Sequence, residues 1–191
     1  MSPALSREDA RVKIEELLDQ FYGPPQAYQQ LGCFSSCDRV PAPYDALLDH
    51  NEHMTVTVES FYGELVEVIV HQTDRHQQWY AREITLVTQD SRRVVQYGIV
   101  RLNIDALDQE VWRQIENQAM PLGRVLIQHN VLREVVLCEL WRIAAGPSLA
   151  GLLQRPLGET MYGRTALIYC DGEPAIELLE IVTPTDAIRP R

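Results

Sequence analysis

Three charged side chains stand where the surrounding pattern calls for apolar ones. Successive side chains on a β-strand alternate between faces, so residues i, i+2 and i+4 share one. Within residues 78–88, Tyr80, Arg82, Ile84 and Leu86 form one such row. Within residues 174–182, Ile176, Leu178, Glu180 and Val182 form another. Arg164 falls in a third, with Tyr162, Ala166, Ile168 and Cys170. Burying a charge is costly unless it is paired. Three outcomes are therefore open: the arginines carry their charge to the surface on their aliphatic stems, Arg82 and Glu180 pair with each other, or the set builds a site. A guanidinium grips a carboxylate through two parallel hydrogen bonds, so the ligand of such a site is a small carboxylate. The turn Pro121-Leu122-Gly123 joins this set.

Other chemistries find less support. No serine sits in a nucleophile-elbow context, and Gly23, Gly32, Gly63, Gly98 and Gly123 are isolated, without the spacing of a phosphate loop. His50 and His53 flank Glu52 closely enough for two ligands on one helical face, but the stretch reads as an exposed polar turn. The four cysteines Cys33, Cys37, Cys138 and Cys170 are too few for a disulfide framework and lack a second matched pair for zinc. They read as free thiols in a reducing compartment. Neither a metal nor an organic cofactor is expected.

The elements that must position these residues follow from periodicity and punctuation. Ser6 is expected to open a helix with Glu8 and Asp9 in its first turn, an apolar stripe of Val12, Ile14, Leu17, Leu18 and Phe21, and a stop at Gly23-Pro24-Pro25. A short helix is expected over 43–50. Strands are expected over 65–71, 78–88 and 93–102, then a helix over 108–118, a helical turn over 124–129, a long strand over 131–142 and a short helix over 147–153. The chain closes in a hairpin from Tyr162 to Val182 about Asp171-Gly172, a strong turn signal between apolar runs. Short turns between strands favour antiparallel pairing. An antiparallel sheet with helices packed on one face is an α+β fold.

Bulk properties set the class. A chain of 191 residues suggests a single domain. Its 46% hydrophobic and 23% charged residues suit a soluble globular protein. A net charge of −10 argues against a nucleic-acid partner, which needs a basic surface. No apolar run approaches the roughly 18 residues of a membrane span, and the N-terminus lacks an apolar signal core, so a cytoplasmic location is expected.

Four segments, in order, resemble chorismate pyruvate-lyase and its chorismate lyase-like relatives. They are Glu52-His53-Met54-Thr55, Trp79-Tyr80-Ala81-Arg82-Glu83-Ile84, Pro121-Leu122-Gly123-Arg124-Val125-Leu126, and the hairpin from Tyr162-Gly163-Arg164 through Asp171-Gly172-Glu173-Pro174 to Leu179-Glu180-Ile181-Val182-Thr183-Pro184. The resemblance implies one domain over 1–191, with a core over 45–184 and a variable helical extension over 1–43. It implies a six-stranded antiparallel sheet with helices, and a helix over Met54–Tyr62 against local β propensity. It implies that Arg82 binds a carboxylate with help from the Leu122 amide, that Glu180 meets the far end of the ligand, and that Met54 lines the pocket, with Gly123 and Arg164 completing the substrate-binding set. The activity implied is a cofactor-free carbon–oxygen lyase that eliminates pyruvate from chorismate to leave 4-hydroxybenzoate, with Arg82 and Glu180 catalytic. The alternative is a non-catalytic module of the same fold, akin to the effector-binding domains of bacterial transcription regulators. Either way the expected partner is a small aromatic or cyclic carboxylate.

Overall fold

A computed structural model describes residues 11–184. The elements run α1 (Ile14–Tyr22), β1 (Gly32–Cys37), α2 (Tyr44–Leu48), α3 (Met54–Tyr62), β2 (Val66–His76), β3 (Trp79–Thr88), β4 (Val94–Asn103), α4 (Gln109–Glu116), α5 (Leu122–Gln128), β5 (Arg133–Ala145), α6 (Pro147–Leu153), β6 (Thr160–Cys170) and β7 (Glu173–Val182). The strands form one sheet in the order β1-β5-β6-β7-β4-β3-β2, and every pairing is antiparallel. The α+β expectation holds, with seven strands rather than six. The additional strand, β1, lies in the stretch expected to be a helical extension and pairs with β5 from Gly32↔Ala145 to Cys37↔Leu140. Its sequence, Gly-Cys-Phe-Ser-Ser-Cys, carries no two-residue hydrophobic alternation. An edge strand of this kind is specified by its partner rather than by its own pattern.

Helices cover both faces of the sheet, not one. On the first face α1 and α6 bury Leu17, Leu18, Leu149 and Leu153 against Tyr97, Ile99, Leu179 and Ile181. On the second, α4 and α5 cover Val100, Leu102, Ile176 and Leu178. There too α2 and α3 cover Ile84, Leu86 and Val182. The alternation of β7 assigns Leu179 and Ile181 to one layer and Leu178, Glu180 and Val182 to the other. The apolar stripe expected in the first helix is in place, and its opening at Ser6, Glu8 and Asp9 lies outside the described residues.

The helix over Met54–Tyr62 forms as the resemblance implied, although Thr55-Val56-Thr57-Val58 favours a strand. Met54, Thr55 and Val58 lie on one helical face and are buried there, so packing overrides local propensity. Gly63 ends the helix at φ 67° and ψ 20°, and its amide reaches the Glu59 carbonyl at 2.9 Å; that left-handed cap suits glycine. The final hairpin turns through Asp171 and Gly172, both at positive φ (51° and 91°), as a tight two-residue loop requires. Among the described residues no helix is long and apolar enough to cross a membrane.

Candidate ligand-binding site

The second face of the sheet encloses a cavity of about 40 Å³. Its floor is sheet: Arg82 and Ile84 from β3, Gln96 and Gly98 from β4, Arg164 from β6, and Leu178 and Glu180 from β7. Its roof is the start of α3, at Met54 and Thr55, and the start of α5, at Leu122 and Gly123. All six residues singled out in the sequence, Met54, Arg82, Leu122, Gly123, Arg164 and Glu180, therefore line one space.

The roof closes tightly. A Cβ built on Gly123 would lie 3.0 Å from Thr55 Oγ1 and 3.3 Å from Thr55 Cβ, so glycine lets the two helix starts meet. The first backbone bonds of α5 run from the Arg124 and Val125 amides to the Pro121 carbonyl, at 3.1 and 3.2 Å. The Leu122 and Gly123 amides precede that ladder and have no acceptor within the helix.

The two arginines differ in every respect except burial. Arg164 is fully buried and fully occupied. Its Nε donates to Glu180 Oε2 at 2.8 Å, Nη1 donates to the His50 carbonyl at 2.6 Å, and Nη2 donates to the Glu52 carbonyl at 3.0 Å. It thereby stitches the connection between α2 and α3 to the sheet. The pairing follows from register: Arg164 and Glu180 lie directly opposite each other on β6 and β7. The internal pair open from the sequence, Arg82 with Glu180, does not form, because β4 separates β3 from β7 and Glu180 already has a nearer cation.

Arg82 is 1% exposed, and its Nε and Nη1 have no hydrogen-bond partner. Burial pushes its pKa down, partly offset by the neighbouring Tyr80 hydroxyl. A guanidinium nevertheless keeps its proton under ordinary conditions. The cavity thus contains a desolvated cation with two donor nitrogens unused. Nearby, Gln96 is 3% exposed and its Oε1 also lacks a partner. Sequence reasoning missed it, although Gln96, Gly98 and Val100 share a face and the same rule, a polar residue in an apolar row, finds it.

Behind Arg82, on the opposite face of β3, Glu83 anchors the strand. It accepts from Tyr22 Oη at 2.5 Å, Tyr97 Oη at 2.7 Å and Gln72 Nε2 at 2.9 Å. Burial, together with the adjacent carboxylate, pushes both tyrosines well above the usual phenol range.

His50 and His53 are half-buried and engaged by arginines, not by a shared ligand. His50 Nδ1 accepts from the Glu52 amide at 3.0 Å and from Arg164 Nη1 at 3.3 Å, which leaves Nε2 to donate to the Leu47 carbonyl at 2.7 Å. His53 Nε2 accepts from Arg133 Nε at 2.6 Å. Burial, reinforced by the Arg133 and Arg164 charges, brings the His53 pKa down to about 4, so the ring is neutral at pH 7. Among the described residues no group of three or more His, Cys, Asp or Glu side chains is placed to hold a metal.

No family profile matches the chain, and neither does any curated protein sequence. Solved structures do match. PhnF from Mycobacterium smegmatis aligns over 69% of this chain and 63% of its own length, with 11% identity and a TM-score of 0.54. This chain thus spans less than two thirds of that protein. The effector domain of the same PhnF aligns over 70% of this chain and 89% of the domain, with 12% identity and a TM-score of 0.52. The C-terminal domain of the histidine utilization repressor from Pseudomonas syringae covers 66% of this chain and 92% of its own, with 14% identity and a TM-score of 0.40. The shared architecture is the chorismate lyase-like fold. This corrects the expected activity. The matches with a TM-score above 0.5 are to PhnF and its effector domain rather than to a lyase, which contradicts the expected chorismate pyruvate-lyase with a catalytic Arg82 and Glu180.

Proposed function

We propose that this domain is a non-catalytic binding module that takes up a small carboxylate, aromatic or cyclic, on its buried Arg82. One observation carries the reading: a guanidinium that is 1% exposed, lining a cavity, with two nitrogens lacking any partner. An unpaired buried charge is a standing cost that a bound anion would remove. A carboxylate matches the planar donor fork of arginine. The Leu122 and Gly123 amides at the roof add donors, the Gln96 amide offers polar contact, and Met54, Ile84 and Leu178 supply apolar walls for a ring. Glu180, held by Arg164, sets the far polar boundary of the site. The effector-domain fold supports a sensing role, in which occupancy of the cavity is the signal.

Calorimetric titration with benzoate tests this. The unaltered protein is expected to bind benzoate, and Arg82→Gln to lose at least about tenfold in affinity, the equivalent of roughly 1.4 kcal/mol. Equal binding by the two proteins would rule the assignment out.

A further inference from the structure

Resting on that reading of Arg82, we infer that the site has a second anion-binding position at its mouth, formed by Arg133 and held ready by His53, and that its ligand is a dianion rather than a monoanion. The inner cavity measures only about 40 Å³, whereas an open cleft of about 650 Å³ lies outside it. His53 and Val135 line both spaces, so they form the wall between them. A ligand with its head at Arg82 that extends past His53 would enter the cleft.

Arg133 is the first residue of β5 and lies on that path. Its Nε donates to His53 Nε2 at 2.6 Å and its Nη1 donates to the Val131 carbonyl at 3.0 Å. Both acceptors are uncharged, and no described ion pair includes Arg133. Most arginines of the fold are placed differently: Arg75, Arg92, Arg101, Arg113, Arg124, Arg155 and Arg164 each meet a glutamate. Arg82 and Arg133 are the two cations without a carboxylate that border this connected space. Glu52 and Glu134 also line the cleft, so its outer rim is mixed in sign.

His53 gives Arg133 its orientation. A neutral imidazole lone pair holds Nε and the Val131 carbonyl takes one Nη1 hydrogen, which leaves Nη2 and the second Nη1 hydrogen available. A carboxylate or phosphate arriving there can take the remaining donors bidentately. Arg133 is accordingly a specificity-determining residue, and Arg82 the affinity-determining one.

The test compares monoanions, benzoate and hexanoate, with dianions, isophthalate, terephthalate and adipate, by calorimetry on the unaltered protein, Arg133→Gln, Arg133→Lys and Arg82→Gln. In the unaltered protein at least one dianion is expected to bind roughly tenfold or more tightly than its matched monoanion. Arg133→Gln removes that preference and leaves monoanion affinity within about twofold, while Arg133→Lys keeps part of it. Ring resonances of His53 in NMR spectra shift with the preferred dianion and not with benzoate. Dianions that bind no better than monoanions to the unaltered protein overturn the second position, as does an Arg133→Gln variant that weakens both classes equally. The Arg82 reading survives either of those results. It falls only if Arg82→Gln binds every probe normally, and both fall if no probe binds.

Discussion

Arg164 and Glu180 face each other across β6 and β7 with Nε and Oε2 2.8 Å apart, and their pairing leaves Arg82, two strands away from Glu180, without a counter-ion. The cavity therefore combines a satisfied ion pair with an unsatisfied cation. These two kinds of buried charge respond in opposite ways to substitution, and that contrast separates scaffold from site.

Breaking the pair destabilises. Arg164→Met strands the Glu180 carboxylate in the core and frees the α2–α3 connection from two backbone contacts, at His50 and Glu52. Chemical denaturation is expected to show a loss of about 3–5 kcal/mol. The double variant Arg164→Met with Glu180→Leu recovers much of that loss, because no charge is then left unpaired.

Removing Arg82 stabilises. Arg82→Met deletes an uncompensated charge and keeps the aliphatic volume, so the free protein gains about 1 kcal/mol or more in the same measurement, while losing its affinity for carboxylates. A residue that lowers stability yet is needed for binding is the expected signature of a site residue.

Gly123 tests the roof. In Gly123→Ala the new methyl meets Thr55 Oγ1 at 3.0 Å and must push α5 away from α3, at a cost of about 1–3 kcal/mol. Carboxylate affinity falls with it. Combining Gly123→Ala with Thr55→Ala, which removes that oxygen, restores most of both in thermal melts and titrations.

The stability of the fold depends on His53 between pH 6.5 and 4. The folded-state pKa is about 4, and that of the unfolded chain is about 6.5. In this window the unfolded state binds the extra proton, so acidification favours unfolding. The contribution is fully present above about pH 6.5 and is lost as pH falls towards about 4. His50, lowered for the same reason of burial, acts in the same direction. Replacing His53 with Gln is expected to flatten the stability profile in this window by about one proton, as measured by denaturation at several pH values.

Much of this site was legible in the sequence, and the limits have physical causes. Arg82, Arg164 and Glu180 stood out because strand alternation makes a charge in an apolar row conspicuous. Which arginine would meet Glu180 was not legible, since it depends on strand order: β7 lies between β6 and β4, and no local pattern encodes that. The helix over Met54–Tyr62 was readable only through the resemblance, because its β-branched residues favour a strand until Met54 and Val58 find the core. β1 was missed for the opposite reason, a polar edge strand without a pattern of its own. His53 was read as an exposed turn residue because its burial comes from β5, eighty positions away in its contact with Arg133. Helices on both faces were not anticipated; they are why every residue of β3 from Tyr80 to Thr88 is buried, as befits a strand covered on two sides.

The most direct test of the central claim is a crystal structure of the protein grown with saturating benzoate. The account predicts a carboxylate in the inner cavity with its oxygens about 2.7–2.9 Å from the Arg82 guanidinium nitrogens, and the Arg164–Glu180 pair unchanged beneath it. Benzoate bound elsewhere, or an inner cavity holding only water with Arg82 turned to a protein acceptor, would contradict it.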